Sequence, residues 1–186
     1  MRIKLIGIGG AGRNILNAAI SAGFDASNSV YMDTDTNAMS ASKSGKFVQL
    51  GEVIFHGLGT GRDPQGGLVA AQFTEGAIID SLNDCDFAIL IAGLGGGVGS
   101  GATSYIAELV ESYTDVKVSL VVTMPTKIEG ERSNRNATTA LQGLLETYAD
   151  KVHVVKIPDI SIGKMFEAAD ELAVSIILSL VHKRLN

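Results

Sequence analysis

Two glycine-rich turns, each placed between an apolar stretch and a helix-like stretch, constrain the fold of this chain most. The first, Gly7–Gly12, follows the apolar segment 3–8, and the second, Gly93–Gly101, follows the apolar segment 87–92. A flexible linker has no need of a buried strand on one side and a helix on the other, so we interpret both turns as parts of a folded core. Glycine also lets the backbone approach a ligand closely.

The second turn has the features of an anion site built from backbone. Its glycines can turn several N–H groups inward, and a helix that begins behind them adds the positive end of its dipole. We expect that helix to begin near Gly101 and Gly97 to leave space for a phosphate. The turn contains no lysine and is therefore not a Walker A loop.

The first turn matches G-x-G-x-x-G, and Asp33 or Asp35 follows the next apolar segment. This is the pattern of dinucleotide-binding domains, although tight strand-to-helix turns also use glycine without any ligand. A nicotinamide-binding domain needs only one such turn. The second turn therefore favours a nucleotide whose phosphates lie on the second helix.

Alternation of strand-like and helix-like segments predicts an α/β fold, a three-layer doubly wound and mainly parallel sheet. The strand-like segments are near-continuous apolar runs, as in parallel strands covered on both faces. We expect one domain over 1–186 and a functional loop over 51–66. The predicted strands are 3–8, 29–32, 87–92, 117–122 and 151–157, and the predicted helices are 12–22, 66–83, 101–113, 133–149 and 162–184.

Composition restricts the partners. The 186 residues are 46% hydrophobic and 19% charged, with a net charge of −5 and no basic cluster, which argues against nucleic acid or an anionic membrane as a partner. No apolar run reaches the ~18 residues of a membrane helix, and the N-terminus lacks a signal peptide. Cys85 is the only cysteine, so we expect it to be a small core residue. These features predict a cytoplasmic protein that does not insert into membranes.

Several motifs, in chain order, resemble the tubulin/FtsZ family. The most specific is "GLGGGVGSGAT", which resembles that family's glycine signature. The other segments similar to FtsZ are "IGIGGAGRN", "MDTDTNAM", "GLGTGRDPQGG", "VVTMPTKIEGERSN" and "MFEAADELA". The resemblance covers nearly the whole chain and implies a GTP-binding domain.

The resemblance also implies the role of each site residue. It places Gly9, Gly10 and Ala11 at the α- and β-phosphates, Thr60, Gly61 and Arg62 at the γ-phosphate, Gly95, Gly96, Gly97, Val98 and Gly99 around the phosphates, Pro125, Glu129 and Ser133 at the ribose, and Asn14, Phe166 and Asp170 at the guanine. The implied ligand is GTP or GDP, with Mg²⁺ held through the phosphates and no metal site made of protein groups.

The pair Phe166 and Asp170 can also be interpreted from its residue types and spacing. The two residues are separated by four positions and share one helix face. A ring can stack on a base, and a carboxylate can accept from the guanine N1–H and amino group, which adenine lacks. From the residues alone, a core phenylalanine and a solvated aspartate is the simpler interpretation; the resemblance favours the base contact.

Four positions depart from the family pattern. Val98 replaces a threonine hydroxyl, and Ser133 replaces an arginine, with Arg132 beside it as a candidate substitute. Asp33 stands where FtsZ has asparagine, and Asp159 stands where an amide helps to hold the base. These changes affect the expected affinity and nucleotide preference rather than the existence of the site.

The resemblance implies that the chain ends where the central helix gives way to the synergy loop, whose acidic residues complete the GTPase site of a neighbouring subunit. We therefore expect an FtsZ-like protein without the C-terminal activation domain and with no catalytic residue of its own. It would bind nucleotide, hydrolyse it slowly or not at all alone, and have a link to a prokaryotic cytoskeleton or cell division. The alternatives are a non-polymerising regulator of an FtsZ-like filament and a NAD(P)-dependent oxidoreductase domain.

Helix 162–184 carries a further prediction. Its segment 172–181, "LAVSIILSLV", is apolar on nearly every side. A helix that packs one face on a sheet should be polar on the other. We therefore expect Val174 and Leu178 to be exposed and to contact a second copy or an FtsZ-like partner.

Overall fold

A computed structural model describes residues 1–157 and 162–185, with the side chains of 162 and 163 left out. Its centre is a sheet whose paired strands are all parallel, in the order β3-β2-β1-β4-β5-β6. The strands are β1 Ile3–Ile8, β2 Ser29–Asp33, β3 Lys46–Gln49, β4 Phe87–Gly93, β5 Lys117–Thr123 and β6 Val152–Val155. The predicted α/β doubly wound fold is confirmed.

Helices connect the strands and cover both faces of the sheet. They are α1 Gly9–Ser21, α2 Asn37–Ala41, α3 Glu52–Phe55, α4 Pro64–Gln72, α5 Glu75–Ser81, α6 Gly97–Tyr113, α7 Glu131–Tyr148 and α8 Ile162–Leu185. Single 3₁₀ turns lie at Ala26–Asn28 and Lys127–Glu129. Among the described residues, no helix has the length and apolar content needed to cross a bilayer.

The strands bury alternate side chains in two separate cores, which explains their continuous apolar sequence. Ile6 and Leu90 face a core formed with α4, α5, α6 and α7, whereas Leu5 and Ile89 face a core formed with α1 and α8. Cys85 is buried and free, as predicted, and burial raises the pKa of its thiol. The molecule therefore has three layers, with α1 and α8 on one side.

Two parts of the sequence prediction were wrong in detail. The edge strand β3 was missed because it is short and buries only Val48. The predicted helix 66–83 is two helices, because the hydroxyl of Thr74 donates to the carbonyl of Ala70 and accepts from the amide of Gly51 at the break. A side chain that bonds to nearby backbone in this way competes with helix continuation.

The predicted exposure of Val174 was also wrong. Val174 is only 8% exposed and belongs to the core formed with α1, whereas Leu178, one turn later, is 38% exposed. The reason is that α8 packs against α1 as well as against β5 and β6, so that it buries a wider arc than a helix on a sheet alone. Only the Leu178 half of the predicted surface is exposed.

The strand order reverses between β1 and β4, which lie side by side. The chain leaves β1 into α1 on one face and leaves β4 into α6 on the other. A crevice therefore opens at their carboxyl ends, where doubly wound proteins bind ligands. Both glycine turns lie at this crevice.

Candidate functional site

A single cavity of about 670 Å³ lies at the carboxyl ends of the strands, between α1, α6 and α8. Every residue named in the sequence-based site lines it, with the exception of Gly95. The cavity also has lining residues that the sequence reasoning did not place in the site: Arg13, Asp33, Thr34, Asp35, Ala38, Gly59, Gly93, Leu94, Thr123, Met124, Ile157 and Ala169.

The two glycine turns meet inside this cavity. Gly9 has a φ of +70°, and the position of a Cβ on it would lie 3.2 Å from the backbone nitrogen of Gly99. Helix α1 begins at Gly9 and α6 begins at Gly97, earlier than the predicted starts at 12 and 101. Two helix N-termini with unpaired N–H groups therefore converge on one space, an arrangement that favours an anion.

The glycines of α6 allow close packing against neighbouring segments rather than leaving space for a ligand. A Cβ on Gly97 would stand 2.8 Å from the carbonyl oxygen of Asp63 and would overlap the hydroxyl of Thr60. One on Gly99 would overlap the carbonyl of Gly93, and one on Gly101 the carbonyl of Pro64. The expectation that a side chain on Gly97 would fill phosphate space is therefore wrong, because that direction points into the neighbouring loop.

Within the two glycine turns, Gly10 and Gly96 are the positions that leave open space on the cavity wall. A Cβ on either residue would meet no protein atom within 4 Å, and both residues line the cavity. Glycine at these positions keeps the backbone accessible rather than allowing two segments to pack. They are the positions at which a ligand can approach the turns.

Gly95 shapes the second turn without lining the cavity. With a φ of +109°, it donates its N–H to the hydroxyl of Ser100 at 2.7 Å and accepts from the side-chain amide of Asn136 at 3.2 Å. Both of its polar backbone groups are thus used inside the protein. Sequence reasoning missed Ser100 and Asn136 because nothing local in the sequence marks them.

The aromatic and acidic pair of α8 lies on the cavity wall. Phe166 is 49% exposed and lines the cavity, and Asp170 lies one turn later. Partial burial raises the pKa of the Asp170 carboxyl. Asn14 faces the same cavity from α1, and its side-chain oxygen accepts from Arg13 at 3.1 Å.

Three polar residues at the end of β2, Asp33, Thr34 and Asp35, form a part of the wall that was not among the predicted site residues. Burial raises the pKa of the Asp33 carboxyl, and the N–H groups of Asp35 and Thr34, which donate to it, oppose that shift. The hydroxyl of Thr34 is buried without a hydrogen-bond partner among the described residues. A buried hydroxyl of this kind is a free donor for a bound group.

Segment 124–133 is held by local bonds and by one bond from the loop before α4. Glu129 accepts from the N–H of Thr126 at 2.8 Å, which closes the turn over Lys127–Glu129. Ser133 is buried, and its hydroxyl accepts from the guanidinium of Arg62 at 3.3 Å. Arg62 and Arg13 are the two arginines on the cavity wall. Val98, where the family pattern has a hydroxyl, packs into the core formed with α6.

Within residues 1–157 and 162–185, histidine, cysteine and acidic side chains form no group of three or more suited to a metal ion. Asp33 and Asp35 are nevertheless on the cavity wall. Mg²⁺ takes oxygen ligands and keeps several waters, so carboxylates near a phosphate suit it without a cage of protein groups. Asp159 lies outside the described residues.

The architecture defines a doubly wound parallel α/β domain with a cavity at the switch point of its sheet. Within this class, the chain belongs to the Tubulin/FtsZ family: the model of that family's GTPase domain matches residues 2–156. This identifies the family predicted from the glycine signature.

Curated relatives include two archaeal cell division proteins. Cell division protein FtsZ 1 of Pyrococcus woesei is 34% identical over 180 residues, which cover 93% of this chain and 49% of that protein. Cell division protein FtsZ 2 of Haloferax volcanii is 31% identical over 180 residues, covering 92% of this chain and 44% of that protein. The chain spans about half the length of the curated relatives it matches.

Solved structures show the same fold. An empty FtsZ dimer from M. jannaschii superimposes with a TM-score of 0.87 at 28% identity, covering 97% of this chain and 54% of that one. CetZ2 from Haloferax volcanii, solved as a GTPγS-bound protofilament, gives a TM-score of 0.83 at 25% identity over 97% of this chain and 58% of that one.

Proposed function

We propose that this chain binds GTP and GDP in the cavity at the switch point. The observation that carries the proposal is the meeting of two helix N-termini, at Gly9 and Gly97, on a wall that also holds Phe166 and Asp170. The first pair suits phosphates and the second suits a guanine. Membership of a GTPase family and a relative solved with GTPγS support the same ligand.

The phosphate end is built from backbone. Helices α1 and α6 are long enough to have developed dipoles, with 13 and 17 residues, and Gly10 and Gly96 leave their first N–H groups accessible. Amides that point into a concave turn bind anions without a side-chain cation. This supports phosphates between Gly10 and Gly96, with Mg²⁺ held by phosphate oxygens and water.

The base end carries the selectivity. The exposed ring of Phe166 offers a stacking surface, and the carboxylate of Asp170 offers two acceptor oxygens. Guanine presents two adjacent donors, its N1–H and amino group, whereas adenine presents an acceptor at N1. An unpaired buried carboxylate opposite adenine is unfavourable, so the pair supports a preference for guanine.

A calorimetric titration with GDP, GTP, ATP and NAD tests the proposal. We expect GDP and GTP to bind at least tenfold more tightly than ATP, since one charge-assisted hydrogen bond contributes about 1.5–3 kcal/mol. Equal affinities for GTP and ATP would contradict guanine selection. Tighter binding of NAD than of GDP would favour a dinucleotide site, for which the comparisons with known proteins offer no support.

Hydrolysis by this chain alone is expected to be slow or absent. Two carboxylates on the cavity wall are bonded to their own turns: Asp33 accepts from the amides of Thr34 and Asp35, and Glu129 accepts from the amide of Thr126. These bonds hold both side chains in place, so we expect neither to orient an attacking water, a role that phosphoryl transfer to water requires. Release of phosphate from GTP under multiple turnover measures this, and a rate of ~1 per second or more would contradict it.

A contact through α8 is the second part of the proposal. Leu178 is exposed beside a groove between α1 and α8 that Ala18, Ala22 and Val174 also line. An apolar side chain in an open groove suits a second copy or an FtsZ-like partner. We also predict a role in cell division or a cytoskeleton. We predict a cytoplasmic location and no binding of nucleic acid, and the free, buried Cys85 suits a reducing compartment.

A further inference from the structure

Arg13 and Asn14 are bonded to each other on the cavity wall, near the start of α1. The Nε and Nη2 groups of Arg13 donate to the side-chain oxygen of Asn14 at 3.3 and 3.1 Å. Neighbouring side chains on a helix point about 100° apart, so the long arginine side chain bends round α1 to make these bonds. Sequence reasoning placed Asn14 in the site but not Arg13.

The contact determines which end of the Asn14 amide is available to a ligand. A guanidinium carries only donors, so the atom that it holds must be the carbonyl oxygen of the amide. Within the described part of the chain, nothing accepts from Nδ2 of Asn14, which keeps both of its donors. Asn14 is exposed, so without Arg13 either end of its amide could face the cavity.

Asn14 lies beside the acidic residue of α8. Helices α1 and α8 pack against each other, and both Asn14 and Asp170 line the cavity. Ala18, one turn after Asn14, also lines the α1–α8 groove together with Asp170. The two helices therefore present a donor, Nδ2 of Asn14, and an acceptor, the carboxylate of Asp170, to the same part of the cavity.

Guanine offers the complementary arrangement of groups. Its N1–H and amino group are donors for Asp170, and the groups on either side of them, O6 and N3, are acceptors for an NH₂ group. Adenine carries an amino group at position 6, which a fixed donor would oppose. We propose that Arg13 is a positioning residue that fixes Asn14 as a hydrogen-bond donor and so sharpens the choice of base. This inference rests on the proposed function and adds a residue that acts on the base through Asn14.

The nucleotide-free protein tests the positioning directly. The ¹⁵N heteronuclear NOE of the Asn14 side-chain amide reports how rigidly it is held, and its signals are identified by their loss in Asn14→Ala. We expect a rigid amide in the wild type and a mobile one in Arg13→Gln. An amide that is equally mobile in both proteins overturns the proposal, whatever the protein binds.

Calorimetry with GDP and ADP tests the effect on base selection. Arg13→Gln should weaken GDP binding by roughly three- to tenfold, the usual effect of having to order a side chain during binding. Binding of ADP should not weaken, so the ratio of GDP to ADP affinity should fall. Arg135→Gln is the matched control, because it removes an exposed charge that does not line the cavity. It should change neither affinity by more than about twofold.

Arg13→Lys separates geometry from charge. Lysine keeps the positive charge but lacks the planar pair of donors, so it should weaken GDP binding as much as glutamine does. Wild-type affinity in Arg13→Lys would assign the effect to charge and overturn the positioning role.

A double-mutant cycle with Asn14→Ala tests whether Arg13 acts through its neighbour. In that background Arg13→Gln should change GDP affinity by less than about twofold, because the residue that it positions is gone. The full loss in that background would mean that Arg13 contacts the nucleotide itself, which overturns the proposal. Unfolding curves confirm that each variant is folded.

The outcomes separate this inference from the proposed function. A wild type that binds neither GDP nor ADP overturns both. A preference for GDP that is unchanged in Arg13→Gln supports the proposed function and overturns this inference alone.

Discussion

The carbonyl oxygen of Asp63 lies 2.8 Å from the point at which a Cβ on Gly97 would stand, so that α6 and the loop before α4 meet with no room for a methyl group. Gly67 on α4 faces the same contact, since a Cβ there would lie 2.9 Å from the carbonyl carbon of Gly97. The glycine turn is therefore both a packing contact and part of the cavity wall.

Gly97→Ala should lower the free energy of unfolding by about 1–3 kcal/mol, the usual effect of forcing one extra carbon into a filled space. Chemical denaturation measures this. Gly76→Ala is the matched control, because Gly76 lies on α5 with no atom near its absent side chain, and it should be neutral or slightly stabilising. Unchanged stability in Gly97→Ala would mean that the loop yields freely.

Gly10→Val should leave the stability unchanged and affect ligand binding instead. The valine meets no protein atom within 4 Å of its Cβ and lies on the cavity wall, so the fold should remain while GDP binding is lost. Calorimetry and an unfolding curve on the same sample separate the two effects. Normal GDP affinity in the folded variant would place the phosphates elsewhere.

Asp170→Ala should weaken GDP binding by ~1–3 kcal/mol, because two guanine donors lose their acceptor. Binding of ATP, weak in the wild type, should not weaken further. Glu167→Ala serves as the control, since Glu167 is exposed on the same helix and does not line the cavity at the carboxyl ends of the strands. Equal losses for GDP in both variants would indicate a general charge effect instead of base recognition.

Asp33→Asn should stabilise the protein at neutral pH. Burial raises the folded-state pKa of Asp33 above its ordinary value of 3.8, so the ionised carboxylate is less favourable in the folded than in the unfolded chain. The penalty is full above the raised pKa and vanishes below 3.8, where both states are protonated. The gain from asparagine should therefore shrink as the pH falls through that window.

Unfolding free energies of the wild type and Asp33→Asn across this pH range measure the effect. Asp80→Asn, an exposed aspartate on α5, removes the same formal charge and should give a smaller gain. The asparagine should also tighten GDP binding, since one negative charge leaves the cavity wall. A gain that persists below the window would assign the effect to packing.

Leu178→Glu should reduce association of this chain with itself or with a partner. The side chain is exposed in the groove between α1 and α8, so a carboxylate there leaves the folded monomer intact and opposes burial in an interface. Light scattering after size exclusion measures the mass at high concentration. Ser179→Glu, exposed at the next position, is the control for added charge. A wild type that is monomeric at every concentration would contradict self-association.

The sequence predicted what depends on local pattern. Strands β1, β4 and β5 are nearly continuous apolar runs because both of their faces are buried, so their positions can be read from the local sequence. The starts of α1 and α6 were placed too late because glycine has a low helix propensity, which close packing here overrides. Helix propensity is a local property, whereas glycine is required at position 99 because a Cβ there would overlap the carbonyl of Gly93, across the turn.

Residues whose roles arise from tertiary contact were not predictable in this way. Asn136 bonds to carbonyl groups of residues 62 and 95, and Thr34 is significant because its hydroxyl is buried beside the cavity without a partner among the described residues. Neither has a sequence signature. Val174 was misplaced because α8 has two packing neighbours, a fact that helical periodicity does not contain.

The packing role of the α6 glycines determines what the glycine signature of the second turn can indicate about a protein that carries it. Gly97, Gly99 and Gly101 each face a backbone carbonyl that leaves no room for a Cβ, so a relative with this architecture would be unable to replace them even if it bound no ligand. Their presence in a sequence therefore reports that the architecture has been inherited. Gly10 and Gly96 face open space, so a bulky residue at either one would fill part of the cavity and leave the architecture intact.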